Sequence, residues 1–333
     1  MTDRPGRPVL ALRALGLGDA LTGVPALRAL RRAVRPRPVI LAAPAVLGSW
    51  LTDLNVVDGF VDTTGLADPP PGRQLGAHDA VDLHGNGPAS RDLLAAGHPH
   101  RLLGFALPGG TGVPWRVDEH EVDRWCRLVR AWGAVGCRDD LRLRVPAVPP
   151  ARTAQGAVVV HPGAASGSRR WPVERWAAVI RALSRDGTSV LLSGGPSERD
   201  LCQQLAAAAD LPASASTAGQ LGLPALAGLI QSARLVLCGD TGVAHLATAL
   251  GTPSVVLFGP VSPATWGPAI DPDLHTVLWH GDGSGDPHGD SVDPSLLRIT
   301  VEQVTASARA ALDRSSGGDR VLVARAVPGD SPA

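Results

Sequence analysis

The chain has 333 residues, enough for two domains with separate hydrophobic cores. Its 31 basic residues, all arginines, balance 31 acidic ones, so no overall charge favours nucleic acid or an anionic membrane as a partner. Four scattered cysteines match neither a disulfide framework nor a zinc-binding spacing, and no apolar run reaches the length of about 18 residues that a membrane span needs. We therefore expect a soluble, cytoplasmic protein.

Apolar runs alternate with helical patterns along the chain, which favours parallel sheets built from β-α-β units. The predicted strands cover residues 9–15, 39–43, 80–83, 157–161, 189–193, 235–238 and 254–258. The predicted helices cover residues 20–33, 122–132, 173–184, 198–208, 242–250 and 301–311. Both halves open on a strand, a loop of small residues and a helix. The sequence thus predicts an α/β protein with two Rossmann-like halves flanking a central cleft.

A proline-rich stretch at residues 144–156 lacks hydrophobic periodicity and is the best candidate for a linker between the halves. It divides the chain into a first domain at residues 1–150 and a second at residues 151–313. Residues 314–333 are rich in Gly, Ser and Pro, and we expect them to form a flexible tail.

The stretch VLCGDTGVAHLATALGTPSVVLFGP places Asp240, Thr241, Gly242 and His245 between a strand and a helix. Glycine lets a ligand approach the backbone, and the free amides at a helix start attract a diphosphate. The alternative is that Asp240 or Thr241 only caps the helix. Capping needs one polar side chain, and it can coexist with ligand binding. We therefore favour a ligand site here.

A second strand-to-helix loop, HPGAASGSRRWP, carries Arg169 and Arg170 together with Gly163 and Ser166. Arginine at the mouth of a sheet suits bidentate contacts to phosphate. The alternative is a solvated loop in which Pro172 starts the next helix. That alternative explains the proline but does not require the two arginines.

The loop Gly-Leu-Gly-Asp, which ends in Gly18 and Asp19, precedes the first predicted helix. A dinucleotide-binding loop would continue as G-x-G-x-x-G, but Leu21 occupies the sixth position, which disfavours an NAD-dependent oxidoreductase. Asp19 is either a helix cap or a general base that faces the cleft. The local sequence leaves both interpretations open.

Three further polar groups follow predicted strands. Glu198 opens a helix, where a carboxylate is favoured, or holds ribose hydroxyls. His84 and Asn86 form part of a cleft wall or of a turn. Residues 271–273 read Asp-Pro-Asp, but they do not follow an apolar strand as a metal-sugar site would. Residues 280–290 contain several carboxylates and histidines, but their spacing fits no standard zinc or calcium pattern, and we interpret both segments as solvated loops.

Four stretches of the chain resemble, in order and approximate spacing, the motifs of glycosyltransferase family 9, the family of the ADP-heptose lipopolysaccharide heptosyltransferases. They are GLGDALTGVPALRALRRA, HPGAASGSRRWPVERW, LSGGPSERD and CGDTGVAHLATALGTPSVVLFGP. The resemblance covers most of residues 9–312. It implies a GT-B fold, with the acceptor held mainly by the first domain and the donor nucleotide by the second. It also implies metal-independent, inverting transfer from a nucleotide sugar, with no cofactor.

The resemblance implies two catalytic residues. Asp19 matches the family's proposed base, which deprotonates the acceptor hydroxyl as its oxygen attacks the anomeric carbon. Arg169 stands where the family usually has a lysine, and it retains a positive charge for the leaving diphosphate. Its guanidinium is planar and bulkier than an ammonium group, so the exchange changes the geometry.

The other candidate residues follow from the same motifs and loops, with no metal ligand among them. The donor-side candidates are Gly163, Ser166, Arg170, Glu198, Asp240, Thr241, Gly242 and His245. The acceptor-side candidates are Gly18, His84 and Asn86.

These observations predict a glycosyltransferase that moves a sugar, a heptose by resemblance, from an ADP-activated donor to a hydroxyl of a glycan or small metabolite. Peripheral contact with a membrane stays open. The alternatives are a GT-B nucleotide-sugar epimerase, or a catalytically degenerate module that only binds a sugar nucleotide.

Overall fold

The computed structural model describes residues 6–107, 109–146 and 156–322, with side chains described through residue 314. Its strands are Val9–Leu12 (β1), Val39–Ala43 (β2), Gly59–Asp62 (β3), Asp79–Asp82 (β4), Leu102–Leu103 (β5), Val158–His161 (β6), Val190–Leu192 (β7), Leu235–Gly239 (β8), Ser254–Leu257 (β9) and His275–Leu278 (β10). They form two five-stranded sheets with the orders β3-β2-β1-β4-β5 and β10-β9-β8-β6-β7. All of their pairings are parallel.

The α-helices follow or connect these strands. They are Leu17–Thr22 (α1), Val24–Ala33 (α2), Ala45–Asp53 (α3), Pro88–Ala95 (α4), Glu121–Arg130 (α5), Val173–Arg185 (α6), Arg199–Ala208 (α7), Leu223–Ser232 (α8), Gly242–Leu250 (α9), Pro263–Trp266 (α10), Pro294–Leu297 (α11) and Val301–Leu322 (α12). Within the described ranges, no helix has both the length and the apolar composition needed to cross a membrane.

Both faces of the central strands are buried, which explains their continuous apolar sequences. In β1, Val9 and Ala11 join one hydrophobic cluster, whereas Leu10 and Leu12 join another on the opposite face. In β6, Val159 belongs to the same cluster as Ala11. The two halves therefore share a continuous hydrophobic core.

The strand orders place the cleft. In each sheet the order of the strands reverses once, between β1 and β4 in the first sheet and between β6 and β8 in the second. In open parallel sheets, ligands bind beyond the carboxyl ends of the strands at this point. The loops that follow these four strands are the ones that carry most of the candidate residues.

Several elements differ from the sequence prediction. The helix predicted at residues 20–33 begins earlier and is divided into α1 and α2, because Pro25 has no amide hydrogen to continue the helical pattern. The sequence did not predict β3, β5 and β10, which lie at the edges of the sheets and are short or only partly buried.

Two predicted segments lie partly outside the described residues. In the proposed linker these are residues 147–155, and in the proposed tail residues 323–333. Residues 314–322, which the sequence assigns to the tail, belong to α12.

Candidate functional site

A cleft of about 640 Å³ lies between the two halves of the protein. Loops from both sheets line it. The candidate residues in its lining are Gly18, Asp19, Arg169, Arg170, Glu198, Asp240, Thr241, Gly242 and His245. The structure therefore brings these residues from distant parts of the sequence together. Gly163, Ser166, His84 and Asn86 are not part of the lining.

The starts of α1 and α9 meet at this cleft. A Cβ atom on Gly18 would lie 2.8 Å from Cδ2 of His245, and one on Gly242 would lie 2.9 Å from Cβ of Leu17. Both distances are shorter than real carbon contacts, so the close approach of the two helices depends on glycine at these positions.

Asp19 does not cap α1. The N-cap is Gly16, and Asp19 is the third residue of the helix, with 32% of its side chain exposed. The structure thus removes the capping interpretation and leaves the Asp19 carboxylate in the lining of the cleft. The Nη2 atom of Arg13 lies 3.8 Å from Oδ1 of Asp19.

The start of α9 offers backbone amides to the cleft. Thr241 is the N-cap of α9, but its side chain makes no capping hydrogen bond. Asp240 is buried, and burial raises the pKa of its carboxyl group. Arg169 opposes this pKa shift, whereas the charge of Asp19 adds to it. An uncapped helix start beside a guanidinium favours binding of an anion.

Arg169 is held in place by two neighbours. Its Nη1 lies 3.5 Å from Oδ2 of Asp240, and its Nε donates a hydrogen bond to Oγ of Ser166 at 3.2 Å. The Ser166 hydroxyl donates in turn to the carbonyl oxygen of Pro287 at 2.6 Å. Ser166 thus bonds within the protein and orients Arg169. Arg170 is exposed, and its Nε donates to the carbonyl oxygen of Ala164 at 2.9 Å.

Glu198 ends a short 3₁₀ turn directly before α7. Its Oε2 accepts a hydrogen bond from the amide of Gly195 at 2.7 Å and lies 3.7 Å from Nε2 of His161. A Cβ atom on Gly163 would overlap the Glu198 carboxylate. Gly163 therefore makes room for Glu198, which explains its place in the motif. Burial lowers the pKa of His161, and Glu198 opposes that shift.

His245 is a buried imidazole beside the cleft. Burial lowers its pKa to about 4, and the positive charges of His120, Arg13 and Arg169 act in the same direction. Its ring lies 5.9 Å from the Trp266 ring in an edge-to-face arrangement. His245 is therefore neutral at physiological pH, and it packs between Gly18 and Trp266.

On the side of the first sheet, His84 follows β4 and is half-buried. Burial lowers its pKa, Arg13 lowers it further, and Asp19 opposes the shift. His84 is therefore within electrostatic range of both residues. Asn86 is exposed in the loop before α4.

Sequence reasoning missed part of the cleft wall. Trp266, Pro287 and His288 line the cleft, although the interpretation of residues 280–290 was a solvated loop. The amide of Ser168 donates to the carbonyl oxygen of Gly289 at 2.8 Å, so this loop packs on the arginine-bearing loop. The close approach requires glycine at position 167, because a Cβ atom there would overlap the carbonyl oxygen of Asp290, but a glycine does not by itself identify its partner.

No group of three His, Cys, Asp or Glu side chains within the described part of the chain is close enough together to hold a metal ion. This finding concerns only the side chains that could coordinate a metal ion, not the reaction. Metal-independent transfer stays a prediction.

The model of the family described as glycosyltransferase family 9 (heptosyltransferase) matches residues 113–282, just over half of the chain. The chain belongs to glycosyltransferase family 9. This confirms the family that the four motifs indicated.

Curated relatives support the same family. The chain is 32% identical over 149 residues to lipopolysaccharide heptosyltransferase 3 of Escherichia coli. This alignment covers 44% of this chain and 43% of that protein. The chain is 34% identical over 101 residues to lipopolysaccharide heptosyltransferase 1 of Pseudomonas aeruginosa, covering 30% and 28%. These alignments span less than half the length of either relative.

Solved structures of family members share the fold. The E. coli ADP-heptose lipopolysaccharide heptosyltransferase II aligns with a TM-score of 0.75 at 19% identity, covering 93% of this chain and 99% of that one. A family 9 glycosyltransferase from Veillonella parvula also gives 0.75, at 20% identity and 94% and 99% coverage. The GT-B fold expected for this family 9 chain is thereby confirmed.

Two buried histidines of this family 9 chain predict how its stability depends on pH. Burial lowers the pKa of both His245 and His275 from 6.5 to about 4. Between these two pKa values the unfolded chain binds protons that the folded chain does not. The contribution of the two neutral histidines to the free energy of unfolding is therefore complete above pH 6.5 and decreases as the pH drops towards 4. Replacing either residue with Asn should flatten this dependence by about 1.4 kcal/mol per pH unit.

The measurement is denaturant unfolding, followed by tryptophan fluorescence, at several pH values between 7 and 4.5. Asparagine in the core lowers stability at every pH, but a constant offset leaves the slope unaffected. Slopes equal to that of the unchanged protein in both variants would contradict neutral, buried histidines.

Proposed function

We propose that this chain transfers a sugar, a heptose, from an ADP-activated donor to an acceptor hydroxyl, with inversion, without a metal ion and in the cytoplasm. The observation that carries the proposal is the contact between the starts of α1 and α9. This contact brings the Asp19 carboxylate and an uncapped helix start to one cleft. A base and an anion-binding group on opposite walls are what transfer from a nucleoside diphosphate sugar requires.

The donor diphosphate would lie at the start of α9. There the backbone amides around Thr241 and Gly242 and the guanidinium of Arg169 supply positive potential. Glu198 lies in the same wall, and its carboxylate would accept hydrogen bonds from the ribose hydroxyls.

The acceptor would approach from the side of α1. Asp19 would remove the proton from the acceptor hydroxyl as that oxygen attacks the anomeric carbon, and the bond from this carbon to the diphosphate oxygen would break. A single displacement from the opposite face inverts the anomeric configuration. The charge that develops on the leaving diphosphate would be stabilised by Arg169 and the α9 amides.

The position of Arg169 supports activity over a degenerate binding module. Ser166 and Asp240 hold its guanidinium beside the α9 start, so the positive charge expected from the family's lysine is present there. An arginine without a role at the cleft would not need to be held there by these two contacts.

The first experiment identifies the nucleotide by thermal shift with ADP, UDP, GDP, dTDP and NAD at matched concentrations. A ligand present at about 100 times its dissociation constant stabilises the folded state by about 2.7 kcal/mol. We expect a selective response to ADP. A response to UDP or dTDP alone would change the donor, and one to NAD alone would contradict a glycosyltransferase.

A second experiment tests the ribose contact. Gly163→Ala would displace the Glu198 carboxylate from the Gly195 amide, and we expect the dissociation constant of ADP to rise about tenfold, a loss of about 1.4 kcal/mol. Gly65→Ala is the matched control because no heavy atom lies within 4 Å of its added Cβ. Unchanged ADP affinity in a folded Gly163→Ala variant, measured by calorimetry, would remove Glu198 from the donor site.

A third experiment tests the base. Asp19→Asn should lower kcat by about 10² to 10⁴-fold and leave ADP affinity unchanged, because general base catalysis contributes a factor of this size. Turnover is followed as ADP release from ADP-heptose with glycan and small-alcohol acceptors. Asp53→Asn, at the exposed end of α3, is the control.

The alternatives give different products. An epimerase would convert the donor sugar without any acceptor, and a degenerate module would bind ADP but release none from ADP-heptose. Full turnover by Asp19→Asn would exclude Asp19 as the base.

A further inference from the structure

Arg13 is an almost fully buried cation beneath the acceptor side of the cleft, with 1% of its side chain exposed. Its Nε donates to the carbonyl oxygen of Asp19, and its Nη1 donates to the carbonyl oxygen of Leu83. Its Nη2 donates to Oγ1 of Thr22 at 2.8 Å. The side chain thus ties the first turn of α1 to the residue that precedes His84.

Arg13 is paired with Glu121 of α5, a carboxylate that it shares with Arg124. Its Nη2 lies 3.5 Å from Oε1 of Glu121, and its guanidinium lies over the Trp125 ring, 4.6 Å from the centroid. The indole of Trp125 donates to the same Glu121 oxygen at 2.8 Å. Burial lowers the pKa of Arg13, and the carboxylates of Asp19 and Glu121 oppose that shift. A buried cation persists when it is paired and hydrogen-bonded in this way.

The helix that carries Asp19 needs such an anchor. α1 has six residues, and its N-cap Gly16 has no side chain to cap it. Helices this short are not stable by themselves in water, so contacts from outside must fix them. Arg13 supplies such contacts at the Asp19 carbonyl and at Thr22, whose hydroxyl also donates to the Asp19 carbonyl at 2.9 Å.

We propose that Arg13 is a positioning residue for Asp19: it fixes the first turn of α1 and the end of β4, so that the carboxylate keeps a fixed place in the cleft. The proposal rests on the proposed function. A guanidinium is required, because its diverging N–H groups reach several acceptors at once, whereas a lysine ammonium acts as a single point charge.

The test combines a structural measurement with a kinetic one on the full chain. In Arg13→Met, amide hydrogen exchange should rise in α1 and in residues 83–87 but stay unchanged in α6, which packs against α7 and α12 in the second half of the protein. The ADP dissociation constant should stay within twofold, because the donor wall does not contain Arg13. The kcat for ADP release from ADP-heptose should fall by about ten- to hundredfold, because a small displacement of a catalytic group has an effect of this size.

Three other variants make the result specific. Arg13→Lys keeps the positive charge but not the diverging N–H groups of the guanidinium, so its kcat should lie between those of Arg13→Met and the unchanged protein. Thr22→Val keeps shape and charge but removes two hydrogen bonds, the one from Arg13 and the one to the Asp19 carbonyl oxygen, and it decides the question if Arg13→Met does not fold. Its exchange in α1 should rise and its kcat should fall by severalfold. Arg181→Met removes another arginine that donates to a backbone carbonyl, that of Ala208, and should change neither α1 exchange nor kcat.

The outcomes separate this proposal from the proposed function. Unchanged exchange in α1 would overturn the role of Arg13 whether or not the protein transfers a sugar. An active parent protein with equal losses of ADP affinity and kcat in Arg13→Met would indicate a general structural role and would also overturn it. Absence of transfer by the unchanged protein would overturn the proposed function, while the exchange data would still show whether Arg13 holds α1.

Discussion

The close contact between the starts of α1 and α9 is the constraint on which the rest of the site depends. Gly18 and Gly242 lack the Cβ atoms that would separate the two helices, and His245 fills the space beside Gly18. Because the helices follow the central strands β1 and β8, this contact fixes how the carboxyl ends of the two sheets face each other. A larger residue at either glycine would widen the cleft between its two walls.

Buried polar groups then determine what the wall formed by the second sheet presents. Asp240 is buried beside Arg169, and His161 is buried beside Glu198. In each pair, one group is costly to bury by itself and the other compensates part of that cost. Because each pair joins segments at the carboxyl ends of different strands, β6 with β8 and β6 with β7, pairing these groups holds the loops in fixed positions. Stability and the shape of the candidate site thus depend on the same contacts.

The sequence predicted the central elements well, because β1, β6 and β8 are buried on both faces and therefore apolar throughout. It also predicted a cleft beyond the carboxyl ends of the strands, where the loops that carry the candidate residues lie; the strand order itself came from the structure. The sequence missed edge strands such as β3, whose pattern is weak, and the contact of the loop at 280–290 with Ser168. That contact depends on a backbone hydrogen bond and on the absence of a Cβ atom at Gly167, which would overlap the Asp290 backbone, and a glycine in a glycine-rich loop does not indicate its partner.

Arginine shows why residue type alone did not determine the candidate site. This chain has no lysine, so arginine takes every basic position. Arg170 is exposed, Arg169 is held at the cleft by Ser166 and Asp240, and Arg13 is buried against Trp125. The sequence motif around Arg169 predicted a functional role for it, whereas Arg13 lies in a predicted strand and no motif indicated a role for it. Its contacts come from α1, from the residue after β4 and from α5, so only the assembled fold reveals what it holds. The planar fork of arginine needs acceptors in fixed directions, and the bond from Arg169 Nε to the Ser166 hydroxyl supplies one of them.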